Sequence, residues 1–140
     1  MQLNMSIYRI FHAQKNWIRP RMSKIGFSPG QPKVLTHVHA HNGCNQKDIA
    51  QALDIEPATV SKILNNMVEA GYVERSPLAE RRRAQSVRIT GKGEEFYQKW
   101  AALCSEYEDL VLDGFSEKEK EQFALYLRRV YRNISGKELE

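Results

Sequence analysis

Between Gln46 and Met67 two short apolar stripes stand almost end to end: Ile49, Ala50 and Leu53, then Val60, Leu64 and Met67, with only Asp54, Ile55 and Glu56 between them. Spacings of three and four place each stripe on one face of a helix. Asn45 is a good N-cap for the first helix, over 46–53. The three intervening residues are too few for more than a turn. Pro57 suits the first turn of the second helix, where its missing N–H is not needed, and Gly71 ends that helix. Two helices joined this way describe a helix-turn-helix, although a helix pair with a polar face is by itself often a solvated surface.

Once Val60, Leu64 and Met67 are assigned to the core, the second helix offers Thr59, Ser61, Lys62, Asn65 and Asn66 on its outer face. These short amides and hydroxyls can hydrogen-bond base edges, and Lys62 adds a phosphate-seeking ammonium. Glu69 is the only acid before Gly71. A merely solvated helix would mix Glu with Lys along such a face. Beyond it, "YVERS" and "SVRIT" alternate apolar with polar residues around a polar, Pro-containing segment, which predicts a β-hairpin with a long loop. Arg81, Arg82 and Arg83 fall at its tip, where like charges repel and gain nothing from folding. Residues 75–92 carry Arg75, Arg81, Arg82, Arg83, Arg88 and Lys92 against Glu80 alone. Guanidinium forks fit phosphate bidentately and can enter a narrow minor groove, so a helix in the major groove with this loop reaching sideways accounts for both features.

Around this centre the chain reads as helical. Apolar residues from Ile7 to Ile25 predict a helix, bent or interrupted near Pro20. "GFSPGQPK" breaks it. Ser28 and Pro29 start a second helix carrying Val34, Leu35 and Val38 inward, and "HNGCN" ends it. Thr90 can cap a helix through Phe96, Trp100, Leu103, Tyr107 and Leu110 to Gly114. Ser116 and Glu119 form a capping box opening a last helix with Phe123, Leu127, Val130, Tyr131 and Ile134. The fold class is therefore mainly α with a small β-hairpin, an α+β arrangement.

At 140 residues, with 41% apolar and 27% charged residues, the chain should fold as one compact domain or as half of an intertwined dimer. No apolar run approaches a membrane span and the N-terminus lacks a secretory pattern, so a cytoplasmic protein is expected. Residues 1–33 hold six Lys/Arg and no acid, whereas residues 93–140 hold seven basic against eleven acidic residues. These ends could attract one another.

The stretch "FSPGQPKVL…GCNQKDIAQALDIEPATVSKILNNMVEAGYVERSPLAERRRAQSVRITGKGEEF" resembles the MarR family of bacterial winged-helix regulators. The resemblance covers roughly half the chain, and the flanking helices fall where the family has them. It implies a winged helix-turn-helix lobe over 29–92, with 1–28 and 93–140 as dimerisation helices. It also implies a homodimer reading a palindromic operator in double-stranded DNA, with repression or activation of transcription relieved by a small-molecule effector; a ligand-responsive repressor is the expectation. Carried over by position, Thr59, Ser61, Lys62, Asn65 and Asn66 fall on the recognition helix and Arg83 on the wing. The family usually has Asp two residues before that arginine. Here Arg81 stands there, with Glu80 one place off, which puts the orientation of Arg83 in question. Arg75 and the wing arginines would hold phosphates or a minor groove.

Phe11, Trp17, Trp100, Phe115, Phe123, Tyr126 and Tyr131 offer more apolar surface than a small lobe can cover, which agrees with a dimer. Tyr8 and Phe11 could line an effector pocket or belong to the dimer core. His37 and His41, four apart with Cys44 close behind, make half of a zinc site, but His39 points away, no acid lies nearby, and His12 or another chain would have to complete it. An ordinary helix end is the simpler reading. Cys44 and Cys104 form neither a C-x-x-C nor a disulfide-rich pattern, and incidental thiols are favoured over redox switches. "TGKGEE" lacks the spacing of a phosphate loop and reads as a strand-to-helix junction. No catalytic constellation is present and no cofactor is implied. A metal- or thiol-responsive regulator of the same fold, or a winged helix used as a protein-docking module, are the alternatives.

Overall fold

The computed structural model describes residues 2–78 and 81–139, leaving out the side chains of residues 78 and 81–84. Helix α1 (Leu3–Ile25) is followed by α2 (Gln31–Ala40), a two-residue strand β1 (Cys44–Asn45), α3 (Gln46–Leu53) and α4 (Pro57–Glu69). Strands β2 (Val73–Leu78) and β3 (Arg81–Ile89) come next, then α5 (Gly91–Val111) and α6 (Glu117–Ser135). The chain divides into two compact units, Met1–Leu103 and Cys104–Glu140, with the division inside α5.

The first unit holds the helix pair and the hairpin together with α1 and the first half of α5. Val34, Leu35 and Val38 of α2, Ile49 of α3, Val60, Leu64 and Met67 of α4, and Val73 and Val87 of the strands are the most fully buried of its core. The apolar stripes predicted for these helices thus meet in one interior. Ile18, Met22 and Ile25, in the last turns of α1, join it, as do Phe96 and Trp100 of α5. Trp100 lies with its ring 6.2 Å from that of Phe27. It belongs to this core and not to the surplus apolar surface assigned to it from the sequence.

Local chemistry sets the helix ends. Asn45 Oδ1 accepts from the Asp48 N–H at 2.8 Å, and Asp48 Oδ2 accepts from the Asn45 N–H at 3.4 Å, a capping box that starts α3. Helix α2 starts later than expected. Ser28, Pro29 and Gly30 form a turn, Gly30 sits in the left-handed region at φ 86°, and buried Gln31 accepts from the Ser28 N–H. A side chain at Gly30 would run into Ile63 of α4.

The sheet is antiparallel in the order β1-β3-β2. Strand β1 falls where the sequence predicts only a helix end; it pairs Cys44 with Val87 and Asn45 with Ser86. The hairpin also corrects the long loop expected. Pairing runs from Val73↔Ile89 out to Leu78↔Arg81, with an irregularity between Pro77 and Leu78. Most of the supposed loop is strand, because ladder bonds are made by the backbone and ask little of Ser, Pro or Arg side chains. Pro77 is tolerated because β2 is an edge strand.

Helix α5 is locked to the end of α4 at one junction. Thr90 Oγ1 donates to the Gly71 carbonyl at 2.5 Å and accepts from the Gly93 N–H at 3.0 Å, while Lys92 Nζ donates to the Ala70 carbonyl at 2.8 Å. The Thr90 cap and the junction reading of "TGKGEE" are both present here.

In the second unit, Gly114 turns the chain at φ 80°, Phe115 and Phe123 stand 5.9 Å apart, and Ser116 and Glu119 cap α6 reciprocally. The hydrogen bonds from Ser116 hold the Glu119 carboxyl below its usual range. No residue of α6 is buried.

The junction yields a test. A methyl group at Gly93 would overlap the Tyr72 carbonyl and come within 2.8 Å of Ile89 Cγ1, whereas one at Gly91 meets nothing within 4 Å. Gly93→Ala is expected to destabilise the fold by about 1–3 kcal/mol, as overpacking does, and Gly91→Ala to leave it unchanged or stabilise it by less than about 1 kcal/mol. Urea unfolding of the two variants measures the contrast, and equal midpoints would refute the packing account.

Candidate nucleic-acid interface

With Val60, Leu64 and Met67 fully buried, the rotation of α4 is set, and a helical step of about 100° distributes the remaining residues. Lys62 lies on the outward crest and is exposed; Thr59 and Asn66 are exposed on one flank, and exposed Asn65 and half-buried Ser61 occupy the other. All five residues predicted for this face therefore come together on α4.

The Asn65 flank faces β2, and there the structure adds a feature the sequence reading did not contain. Strand alternation puts Arg75 on the same face as buried Val73, opposite Val87. Its stem thus leaves the sheet toward the helices. Arg75 Nη1 donates to Asn65 Oδ1 at 2.6 Å, and Nη2 donates to Gln46 Oε1 at 3.4 Å. Gln46 Nε2 in turn donates to the Pro57 carbonyl at 3.4 Å. One guanidinium so ties together the first residue of α3, the third turn of α4 and the wing strand. The period-2 pattern already placed Arg75 on the Val73 face; Gln46 carried no comparable signal, because its role depends on how α3 and α4 cross.

Arg81, Arg82 and Arg83 open β3 beside the hairpin tip. Their side chains lie outside the described residues, as does Glu80, the acid one place off the family's aspartate position. Arg88 is exposed farther along β3. Tyr8 and Phe11 are exposed on α1, with the Tyr8 and His12 rings 4.4 Å apart and Lys15 Nζ 6.0 Å from the Phe11 ring.

At the end of α2, the His37 and His41 rings lie 4.5 Å apart. His39 does have an acidic neighbour, contrary to the sequence reading. Its Nδ1 lies 3.0 and 3.1 Å from the two Glu94 oxygens, and its ring stacks on Tyr97 at 3.7 Å. The first turns of α5 bring that carboxylate across 55 positions of sequence. Among the described residues, no group of three or more His, Cys, Asp or Glu is placed to hold a metal ion.

Cys44 and Cys104 are free thiols. Burial raises the pKa of both, with the Asp48 charge adding to the effect at Cys44 and the Glu108 charge at Cys104. A raised thiol pKa means less thiolate at neutral pH, which disfavours a thiol switch. Both cysteines should react with iodoacetamide more slowly than free cysteine at pH 7.5, on a profile displaced to higher pH. Mass-spectrometric labelling checks this, and a thiol faster than free cysteine would reverse the assignment.

Residues 25–84 match the sequence model of the MarR family. The HTH-type transcriptional regulator BilQ of Clostridium symbiosum is 25% identical over 112 residues, which span 80% of this chain and 78% of that one. The crystal structure of the transcriptional regulator SlyA superimposes with a TM-score of 0.88 at 24% identity, covering 97% of this chain and 96% of that one. That of MepR from S. aureus in complex with DNA gives 0.81 at 24% identity, with coverages of 92% and 94%. At these identities the structural likeness is one of fold, and that fold is the arrangement described above. The match to the MarR family model spans residues 25–84, and the chain has the winged helix-turn-helix fold of these solved structures.

Proposed function

We propose that this chain is a homodimeric, sequence-specific regulator of transcription that binds double-stranded DNA and acts as a repressor released by a small ligand. The observation that carries the reading is the outer face of α4. Thr59, Lys62, Asn65 and Asn66 are exposed there, with no carboxylate before Glu69, next to a ribbon whose second strand opens with three arginines. Such a face offers donors and positive charge to a duplex whose groove edges and phosphates are rich in acceptors. The DNA complex of MepR, a protein of the same fold, supports the choice of partner.

In this reading residues 29–92 form the DNA-binding lobe, while 1–28 and 93–140 make the subunit contact. What supports a dimer is exposed apolar surface: Leu3, Ile7, Ile10 and Phe11 on α1, and Phe123, Leu127, Val130 and Ile134 on α6. Faces of this kind are covered in stable assemblies. A second copy of the chain is the simplest cover, since a two-fold also duplicates the recognition helix for a palindromic operator, at a spacing of about 34 Å. Tyr8 and Phe11 line either the ligand site or that subunit contact. The setting is the cytoplasm of a bacterium. The named relatives come from bacteria, and among the described residues no helix is long and apolar enough to cross a membrane.

Selection from a random duplex library, followed by titration of the chosen site across salt concentrations, tests the reading. Log affinity should fall steeply and linearly with log salt, with a slope of about −0.9 per phosphate contacted. Arg83→Ala and Lys62→Ala should each weaken binding to all duplexes and reduce that slope by about one. Unchanged affinity of Arg83→Ala at low salt would remove the wing from the interface. Failure to bind any duplex would leave the fold as a protein-docking module. Sedimentation should give twice the 16.2 kDa chain mass; a monomer at micromolar concentration contradicts the dimer.

A further inference from the structure

The hydrogen bond between Arg75 and Asn65 bears on which base the recognition helix can select. A guanidinium carries donors only, so the amide atom 2.6 Å from Arg75 Nη1 must be the oxygen of Asn65. The charge on the donor makes this a strong bond of its kind. Arg75 is itself held from the other side, through Nη2 to Gln46 and from Gln46 to the Pro57 carbonyl at the start of α4. With its oxygen turned to the wing, exposed Asn65 presents its NH2 group as the free end.

An asparagine with both ends free reads adenine, accepting from N6 while donating to N7. Here one of that oxygen's two lone pairs already takes the charged Arg75 donor and the oxygen is turned to the wing, which weakens it as the acceptor N6 requires. Guanine offers two neighbouring acceptors in the major groove, N7 and O6, and no donor, which suits an amide that presents its NH2 group. We propose that Arg75 is a positioning residue for base selection: by holding the oxygen of Asn65 toward the wing it leaves the NH2 group as the end presented to the bases, which selects guanine over adenine at the base pair it faces. The inference rests on the DNA-binding reading above and adds the identity of one base and the residue that dictates it. A plain phosphate contact by Arg75 predicts something different, a uniform loss of affinity on its removal.

The test uses the full-length protein and the duplex selected from the random library, with every base pair of one half-site permuted. Wild type, Asn65→Ala, Arg75→Met and Arg75→Lys are titrated against each. Asn65→Ala should level the preference at one pair, and wild type should favour G·C there by roughly tenfold. Arg75→Met should bring A·T at that pair to parity or better, while preferences elsewhere stay as they were. Arg75→Lys should keep G·C, because an ammonium can still donate to the same oxygen. The proposal is overturned if wild type favours A·T in either orientation at the Asn65-dependent pair, or if Asn65→Ala changes no preference. It is equally overturned if Arg75→Met weakens all duplexes alike. Should Arg75→Met fail to fold, the wild-type preference at that pair decides alone. Absence of binding to any duplex is a distinct result, which would refute the DNA-binding reading itself.

Discussion

The burial of Val60, Leu64 and Met67 is the constraint on which the rest of the interface depends. All three are at 0% exposure, against α2, α3 and the sheet, so α4 has one rotational setting and one outer face. A helix docked through a looser stripe could roll by tens of degrees, and its polar residues would then trade places. Tight packing of three side chains therefore fixes what two amides, a hydroxyl pair and an ammonium can touch. The same core holds Val73 and Val87, so the register of the wing is tied to the rotation of the helix. A slip of one residue in β2 would turn Arg75 outward and bring Glu74 against Asn65.

What was legible in the sequence was what is encoded locally. Asn45 with Asp48, Thr90 with Gly93, and Ser116 with Glu119 are caps made within three residues, and each helix start they mark is where the structure has it. The apolar stripes of α2, α3 and α4 were legible for the same reason, since a period of 3.6 is a property of a short segment. The outer residues of α4 followed by subtraction.

What was not legible depends on contacts between segments. Strand β1 has only two residues, and nothing in Cys44 and Asn45 announces a strand until Val87 and Ser86 lie beside them. The Glu94 partner of His39 and the packing of Trp100 on Phe27 come from the way α5 crosses the lobe. The sequence predicts too short a hairpin because side-chain alternation fades between Val73 and Val87, while backbone pairing extends to Leu78 and Arg81. The sequence predicts too early a start for α2 because Ser28 and Pro29 carry good start signals; the left-handed Gly30 beside Ile63 delays the helix.

Arg75 shows how the two kinds of information combine. Its pairing opposite Val87 puts it on the inner face of its strand, an odd place for a charge, since a buried cation is costly unless it is paired. A half-buried guanidinium on that face had to find acceptors among the helices. The acceptors within reach are the side-chain oxygens of Asn65 and Gln46, which belong to the two helices of the helix-turn-helix. The need to satisfy one inward-facing charge thus couples the wing to the recognition helix and orients an amide that a duplex would meet. The hydrogen bonds that satisfy Arg75 join wing and helix pair, and in the proposed reading the one to Asn65 also sets the choice of base.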